Sequence, residues 1–176
     1  MSFGFVVKDQ GAVHFVTFTV HQWVDVFTRD LYREELIKNL KYCQENRGLE
    51  IFAWVIMTNH CHLIVRAKNE DLSDIIRDFK KFTAKKILSL IENNPFESRN
   101  IWIGKMLRID NRIWFWEGGY HGEEIYSKPF YDTKVNYIHM NPVRAGWVEK
   151  EEDFIWSSAG NYFGLSKSKL VLAEFG

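Results

Sequence analysis

The chain has 176 residues, and 23 Lys plus Arg balance 23 Asp plus Glu, so its net charge is zero with His neutral. A chain of that length buries roughly 70% of its unfolded surface without covalent staples, and the charge balance excludes both a uniformly basic nucleic-acid coat and an acidic solubiliser. With 46% apolar residues intrinsic disorder is excluded, and two cysteines, Cys43 and Cys61, make neither a disulfide framework nor a four-thiolate zinc site.

In chain order, residues 12–20 (AVHFVTFTV) alternate apolar with small or polar side chains, which predicts a strand. Residues 30–47 set Leu36, Ile37, Leu40 and Cys43 on one stripe, with Gly48 as the stop, which predicts a helix. Residues 50–57 (EIFAWVIM) form a continuous apolar run, the mark of a buried strand. After a turn at Thr58 and Asn59, His60–Arg66 reads as its hairpin partner. Residues 70–92 track the helical period through Leu72, Ile75, Ile76, Phe79, Phe82 and Ile87, with Asn69 as candidate N-cap. Residues 93–111 read as loop, and 112–126 as strand interrupted at Gly118-Gly119. A last helix is expected from Ser127 to Met140, with Pro129 in its first turn. The tail after Gly164 matches no motif. Strand, helix, strand, strand, helix, strand, helix specifies an α+β fold: a ferredoxin-like (RRM-like) antiparallel sheet with helices packed on one face and a C-terminal helix carrying Tyr137, over a single domain spanning 1–176.

No run approaches eighteen apolar residues and the N-terminus (MSFGFVVKDQG) lacks a leader pattern. A cytoplasmic protein with no membrane partner is therefore expected. The 7 Trp, 7 Tyr and 14 Phe make 16% of the chain. Such rings are either core filler or platforms for stacking bases.

Two side-chain groups carry chemistry. His60 and His62 lie two apart in a predicted strand, so both imidazoles share a face, while Cys61, Leu63 and Val65 point to the other. Such a pair either clamps a divalent ion or serves the turn and the surface. At helical spacing, Lys134, Tyr137, Asn141 and Arg144 share a second stripe, with Val135, Ile138 and Val143 free for the core. Pro142 disfavours helix at Asn141, so Asn141 either caps a short second turn ended by Gly146 or offers its amide oxygen to a metal. A third group, residues 77–86 (RDFKKFTAKK), holds five cations and one acid, among them Arg77, Lys80, Lys81, Lys85 and Lys86. It is either a solvated helix face or a surface for DNA phosphates. Acids gather instead at Glu117, Glu123, Glu124 and Glu149–Asp153.

The segments AWVIMTNHCHLIV (53–65), VNYIHMNPVRAGWV (135–148) and IWSS (155–158) together resemble the single-tyrosine HUH transposase superfamily. The likeness is nearest to the repetitive-extragenic-palindrome-associated tyrosine transposases, and it covers residues from about 12 to about 163. In that family the two histidines flank a hydrophobic residue; here Cys61 stands between them. The resemblance implies Tyr137 as nucleophile, with His60, His62 and Asn141 holding Mg2+ or Mn2+. It further implies single-stranded or hairpin DNA as substrate, cut and rejoined through a 5′-phosphotyrosine bond. Monomer and homodimer both occur among such proteins. A phenol, with an ordinary pKa near 10, needs such help at neutral pH. Two rival expectations are a non-catalytic single-strand binder using Trp114 and Trp116 as platforms, and a two-histidine phosphoesterase, for which no second His-x-Ser/Thr element is present.

Overall fold

The computed structural model describes residues 7–165 and 169–176. Residues 1–6, within the stretch read for a leader, and 166–168, within the tail that matches no motif, lie outside the described residues. The elements are β1 (His14–Thr19), α1 (Asp30–Arg47), β2 (Leu49–Ile56), β3 (His60–Ala67), α2 (Leu72–Glu92), α3 (Asn100–Leu107), β4 (Arg108–Ile109), β5 (Arg112–Ile113), β6 (His121–Glu124), α4 (Lys128–Arg144) and α5 (Ala159–Tyr162). Four strands form one antiparallel sheet in the order β2-β3-β1-β6, and β4 pairs with β5 in a separate hairpin. This is the ferredoxin-like α+β arrangement that the element order predicts.

The pleat sorts side chains into two cores. Val16, Phe18, Cys61, Leu63 and Val65 pack beneath α1, α2 and α3. Phe15, Ile64, Phe52 and Val55 face the other way and meet Tyr131, Val135 and Ile138 of α4. The register of β2 against β3 shifts between Ile51 and Ala53, so Ile51 and Trp54 serve the first core while Phe52 and Ala53 serve the second. β2 is buried on both sides, which is why it reads as a continuous apolar run. As an edge strand it is covered by chain: Ser157 bridges Val55, and Leu172 bridges Ile51.

Five local expectations need correction. Residues 93–111 are not all loop, because Ile103 and Leu107, one turn apart, bury the inner side of α3 and the β4–β5 hairpin follows. Asn69 does not cap α2; Asp71 holds the N-cap position, after Glu70 at φ 56°. Phe82 is exposed, although the rest of its predicted stripe is buried. The strand expected over 112–126 is only β5 and β6, with Gly118-Gly119 in a bend between them. α4 continues through Pro142 to Arg144, so Asn141 lies inside the helix and caps no second turn. Proline costs that helix one hydrogen bond, from position 142 to Ile138. Burial of Ile138 against the sheet and of His139 and Pro142 beside it offsets the loss. Gly146 at φ 76° then ends the turn, donating its N–H to the Val143 carbonyl.

Among the polar contacts that fix α4 to the sheet, one is deeply buried within this apolar seam. Buried His139 sets Nε2 2.8 Å from the Ser158 hydroxyl oxygen, which also accepts the Trp54 N–H of β2 at 2.9 Å. Burial pushes the His139 pKa down to about 4, below its ordinary 6.5. Below pH 6.5 the unfolded chain takes a proton that the folded chain refuses, so stability is lost as pH falls from about 6.5 towards 4. Urea denaturation should show a loss of roughly 2 kcal/mol from this residue between pH 7 and pH 5. His139→Gln should lower stability at pH 7 but remove that share of the pH slope; an unchanged slope would count against His139 as its source.

Candidate active site

The α4-facing side of the sheet carries Phe15 and Thr17 from β1, His60 and His62 from β3, and His121 and Glu123 from β6. Thr17 stands opposite His62 on one flank and His121 on the other. Over them α4 lowers Tyr137, whose ring meets the His62 ring edge-on at 5.3 Å and the Phe15 ring at 5.8 Å. The His60 and His62 rings are 4.8 Å apart. Tyr137 is 41% exposed, and its hydroxyl makes no hydrogen bond among the described residues.

Hydrogen bonds set the imidazoles. Asp25 accepts from the Thr58 hydroxyl at 2.6 Å and from the Asn59 amide nitrogen at 3.0 Å. That fixes the Asn59 oxygen towards His60, where it lies 2.7 Å from Nδ1. An amide oxygen can only accept, so His60 carries its proton on Nδ1 and turns a bare Nε2 outward. The His62 Nδ1 is 2.7 Å from the Thr17 hydroxyl, which leaves its Nε2 without a hydrogen bond among the described residues. Both rings are held neutral: burial lowers the His60 pKa, and burial, helped by the charges of His60, Lys134 and His121, pushes His62 down to about 3. Neutral imidazoles are the form that ligates metals, and at His60 the Asn59 contact leaves the Nε2 lone pair free. Asn141, one turn beyond Tyr137, is partly buried, and its side chain makes no hydrogen bond among the described residues. No group of three or more His, Cys, Asp or Glu converges among those residues. The structure thus brings the two imidazoles together, and Asn141 lies one turn along α4 from Tyr137; two imidazole nitrogens and an amide oxygen are a donor set that suits a divalent ion with further positions open to water.

Two cations flank the phenol. The Arg144 guanidinium lies over the Tyr137 ring, 5.2 Å from its centre, and Lys134 over the Phe15 ring at 4.5 Å. Lys134 also pairs with Glu123, which accepts from His121 at 3.1 Å. Burial alone would raise the Glu123 carboxyl, but these two partners outweigh it and hold it below its ordinary value. Thr17, Asn59, Asp25 and Glu123 escape a sequence reading, since each is an ordinary polar residue until the register brings it beside an imidazole or lysine.

The other tyrosines fall away. Tyr120 packs on Phe18 on the far side of the sheet, the buried Tyr131 bonds the Tyr162 hydroxyl, and Tyr126 stacks on Phe130. Cys61 is buried on the far side, where burial pushes its thiol up to about 12. Trp116 is no stacking platform: it is buried in the core and donates to Thr83, while Trp114 is exposed. The cations of α2 divide. Arg77 is paired with Asp74 and Asp78. Lys80 is part-buried, donates to the Glu117 and Gly119 carbonyls, and is pushed down to about 8. It is a tie between α2 and the 117–119 bend rather than a free cation. Lys81, Lys85 and Lys86 are exposed, on the helix layer across the sheet from Tyr137.

Set against known proteins, residues 8–141 match the model of the family described as IS200-like transposase. The REP-associated tyrosine transposase of Escherichia coli (strain K12) is 30% identical over 118 residues, 65% of this chain. The match spans 57% of that curated relative, a little over half its length. The solved structure of a REP-associated tyrosine transposase bound to a REP hairpin superposes with a TM-score of 0.66 at 23% identity, covering 99% of this chain and 95% of that one. The fold is therefore shared.

The His60 tautomer can be read in solution. Nitrogen-15 spectra of the metal-free protein at pH 7.5 should show His60 as the Nδ1–H tautomer. In Asn59→Ala the ring should relax towards the mixture of tautomers seen in free imidazole. An unshifted His60 pattern in that variant would remove Asn59 as the group that orients the ring.

Proposed function

The chain belongs to the IS200-like transposase family, and from that premise we propose that it cuts and rejoins single-stranded or hairpin DNA with Tyr137 as nucleophile. The observation that carries this reading is the exposed Tyr137 ring against His62 at 5.3 Å, both supplied by one chain. One copy then suffices for the reaction, with no second subunit lending its tyrosine.

In this reading the phenolic oxygen of Tyr137 attacks the scissile phosphorus and the bond to the 3′-oxygen breaks. The phenolic proton leaves to water, the departing oxygen takes one up as a 3′-hydroxyl, and the 5′-phosphate stays on the tyrosine. The phosphodiester's energy is kept in that link, so the reverse attack rejoins a strand without a nucleotide cofactor. Arg144 stands beside the ring on which negative charge grows as the proton departs, and it holds a phosphate within reach. His60, His62 and Asn141 are the residues that would hold Mg2+ or Mn2+, which when bound supplies positive charge to the phosphate oxygens. Thr17 and Asn59 keep the two rings turned towards that position. The E. coli relative's name and the hairpin in the related solved structure support the choice of substrate.

Hairpin DNA incubated with the protein and Mn2+ should give an adduct that survives a denaturing gel, and mass spectrometry should place it on Tyr137. Tyr137→Phe should abolish the adduct while leaving DNA affinity within about twofold. An adduct of unchanged yield rejects the assignment, and tight binding with no adduct in the wild type favours a non-catalytic binder.

The exposed lysines of α2 reach only DNA that passes beyond the site, so we assign Lys81, Lys85 and Lys86 to backbone contacts with its distal part. Each phosphate contact contributes about 0.9 to the slope of log affinity against log salt. Replacing Lys81 and Lys85 by Ala should flatten that slope by up to about 1.8 without altering the adduct rate at saturating DNA. An unaltered slope would mean that the DNA stays on the α4 side.

A further inference from the structure

Past His60 the row of rings continues onto the surface. The Trp23 ring meets His60 edge-on at 5.8 Å and is 61% exposed. It sits on a short turn, His21–Trp23, in which both Gln22 (φ 53°) and Trp23 (φ 57°) adopt left-handed backbone. That conformation costs a side-chain-bearing residue roughly 1–2 kcal/mol, so neighbouring groups must hold it. They do: His21 N–H donates to the Phe115 carbonyl and Val20 N–H to the Asn59 carbonyl, both at 2.8 Å. Gln22 N–H donates to the Glu117 carboxylate at 2.7 Å. The strain is thus maintained by contacts from two sides, while the indole it carries is left in water.

Across from this turn stands the β4–β5 hairpin, whose two-residue turn, Asp110 and Asn111, is left-handed at both positions, as a tight hairpin needs. Trp114, just after β5, is 46% exposed and packs against His21 at 6.0 Å. Between turn and hairpin lies an open cavity of about 580 Å³, lined by His21, Ile109, Asp110, Arg112 and Trp114. Arg112 is exposed and has no ion pair among the described residues. The cavity therefore adjoins the turn whose Trp23 meets His60, is walled by the rings of His21 and Trp114, and carries the Arg112 guanidinium, with no ion pair among the described residues, beside one carboxylate, Asp110. Flat apolar faces next to a cation match a nucleotide, a base on a phosphate, more closely than a peptide or lipid.

We propose that this groove, together with the exposed Trp23 ring on the turn that borders it, seats unpaired bases of the strand that flanks the bond cut at Tyr137, stacked on Trp114 and Trp23, with Arg112 against a backbone phosphate. It rests on the nucleic-acid reading above for the identity of its ligand. A stacking platform beside the imidazoles would splay the strand out of any duplex, which is how the scissile phosphate would come within reach of a tyrosine on a helix.

The test compares a twelve-nucleotide oligothymidine with an abasic strand of the same length and charge, each fluorescein-labelled, by anisotropy. Wild-type protein should prefer the strand with bases. Trp23→Ala and Trp114→Ala should each weaken oligothymidine binding by about five- to 150-fold, the range for losing one stacked base. Neither should change binding of the abasic strand, and Trp114→Phe should recover most of the loss. Arg112→Ala should weaken both strands alike and lower the salt slope by about one. Equal affinities of wild type and both Trp→Ala variants for oligothymidine overturn the proposal, as does an equal loss on the abasic strand. The covalent adduct separates this outcome from the other. Base preference without an adduct ends the cleavage reading and spares the groove; an adduct without base preference does the reverse.

Discussion

Everything at the site depends on how α4 is rolled against the bare side of the sheet. Ile138 and Val135 must face Ile64 and Phe15 to be buried, and a helix turns about 100° per residue, so Tyr137 is left at the margin of that contact, over His62. An apolar seam alone tolerates small slips, because dispersion is not directional. The His139–Ser158–Trp54 contact removes that freedom, since a slip would strand a buried imidazole and hydroxyl without partners. The residue that fixes the roll is thus two positions from the residue that uses it. Pro142 stiffens the following turn, from which Asn141 and Arg144 project.

A second constraint is the neutrality of the two imidazoles. Protonating either would put charge beside the other, 4.8 Å between ring centres, and beside Lys134 in a half-dry setting. The site keeps its positive charge on Lys134 and Arg144 and partly cancels the first with Glu123. The imidazoles therefore stay lone-pair donors rather than competing cations. That division of labour, donors in the middle and fixed cations at the sides, is what a phosphate group flanked by a metal requires.

The elements with an unbroken period were legible: β1, β3, α1, α2 and α4 each carry an apolar pattern that only one structure satisfies. So were two groupings, His60 with His62 on a strand face and Tyr137 with Arg144 on a helix face, while the roles given to these residues and to Asn141 came from the family resemblance. What stayed hidden depends on contacts between segments. α3 is two turns long, contains Gly104 and exposes Ile101 and Trp102, so its two buried residues make no readable stripe. Trp114 and Trp116 are chemically alike and both lie in the RIWFW run. The bridge from Val20 to Trp116 decides that the second is core and the first is surface. Lys80 looked like its neighbours until the 117–119 carbonyls closed over it.

Net neutrality, which at first argues against a DNA enzyme, is consistent with this layout. A chain without a long-range field binds arbitrary duplex weakly, because non-specific affinity is almost wholly counterion release. On the proposed reading, its attraction for DNA must then come from a few placed cations and from surfaces that fit one shape of strand. Arg77 and Lys80 are consumed internally, which reduces the apparent basic run on α2 to three free lysines. The remaining fixed charge at the site, Arg144 beside the phenol and Lys134 beside His62, is short in range and screened by Glu123 on one side. Such a site rewards a phosphate only when the strand is already bent or splayed into it. A neutral surface with charge concentrated at one point therefore favours distorted or unpaired DNA over the much larger excess of regular duplex.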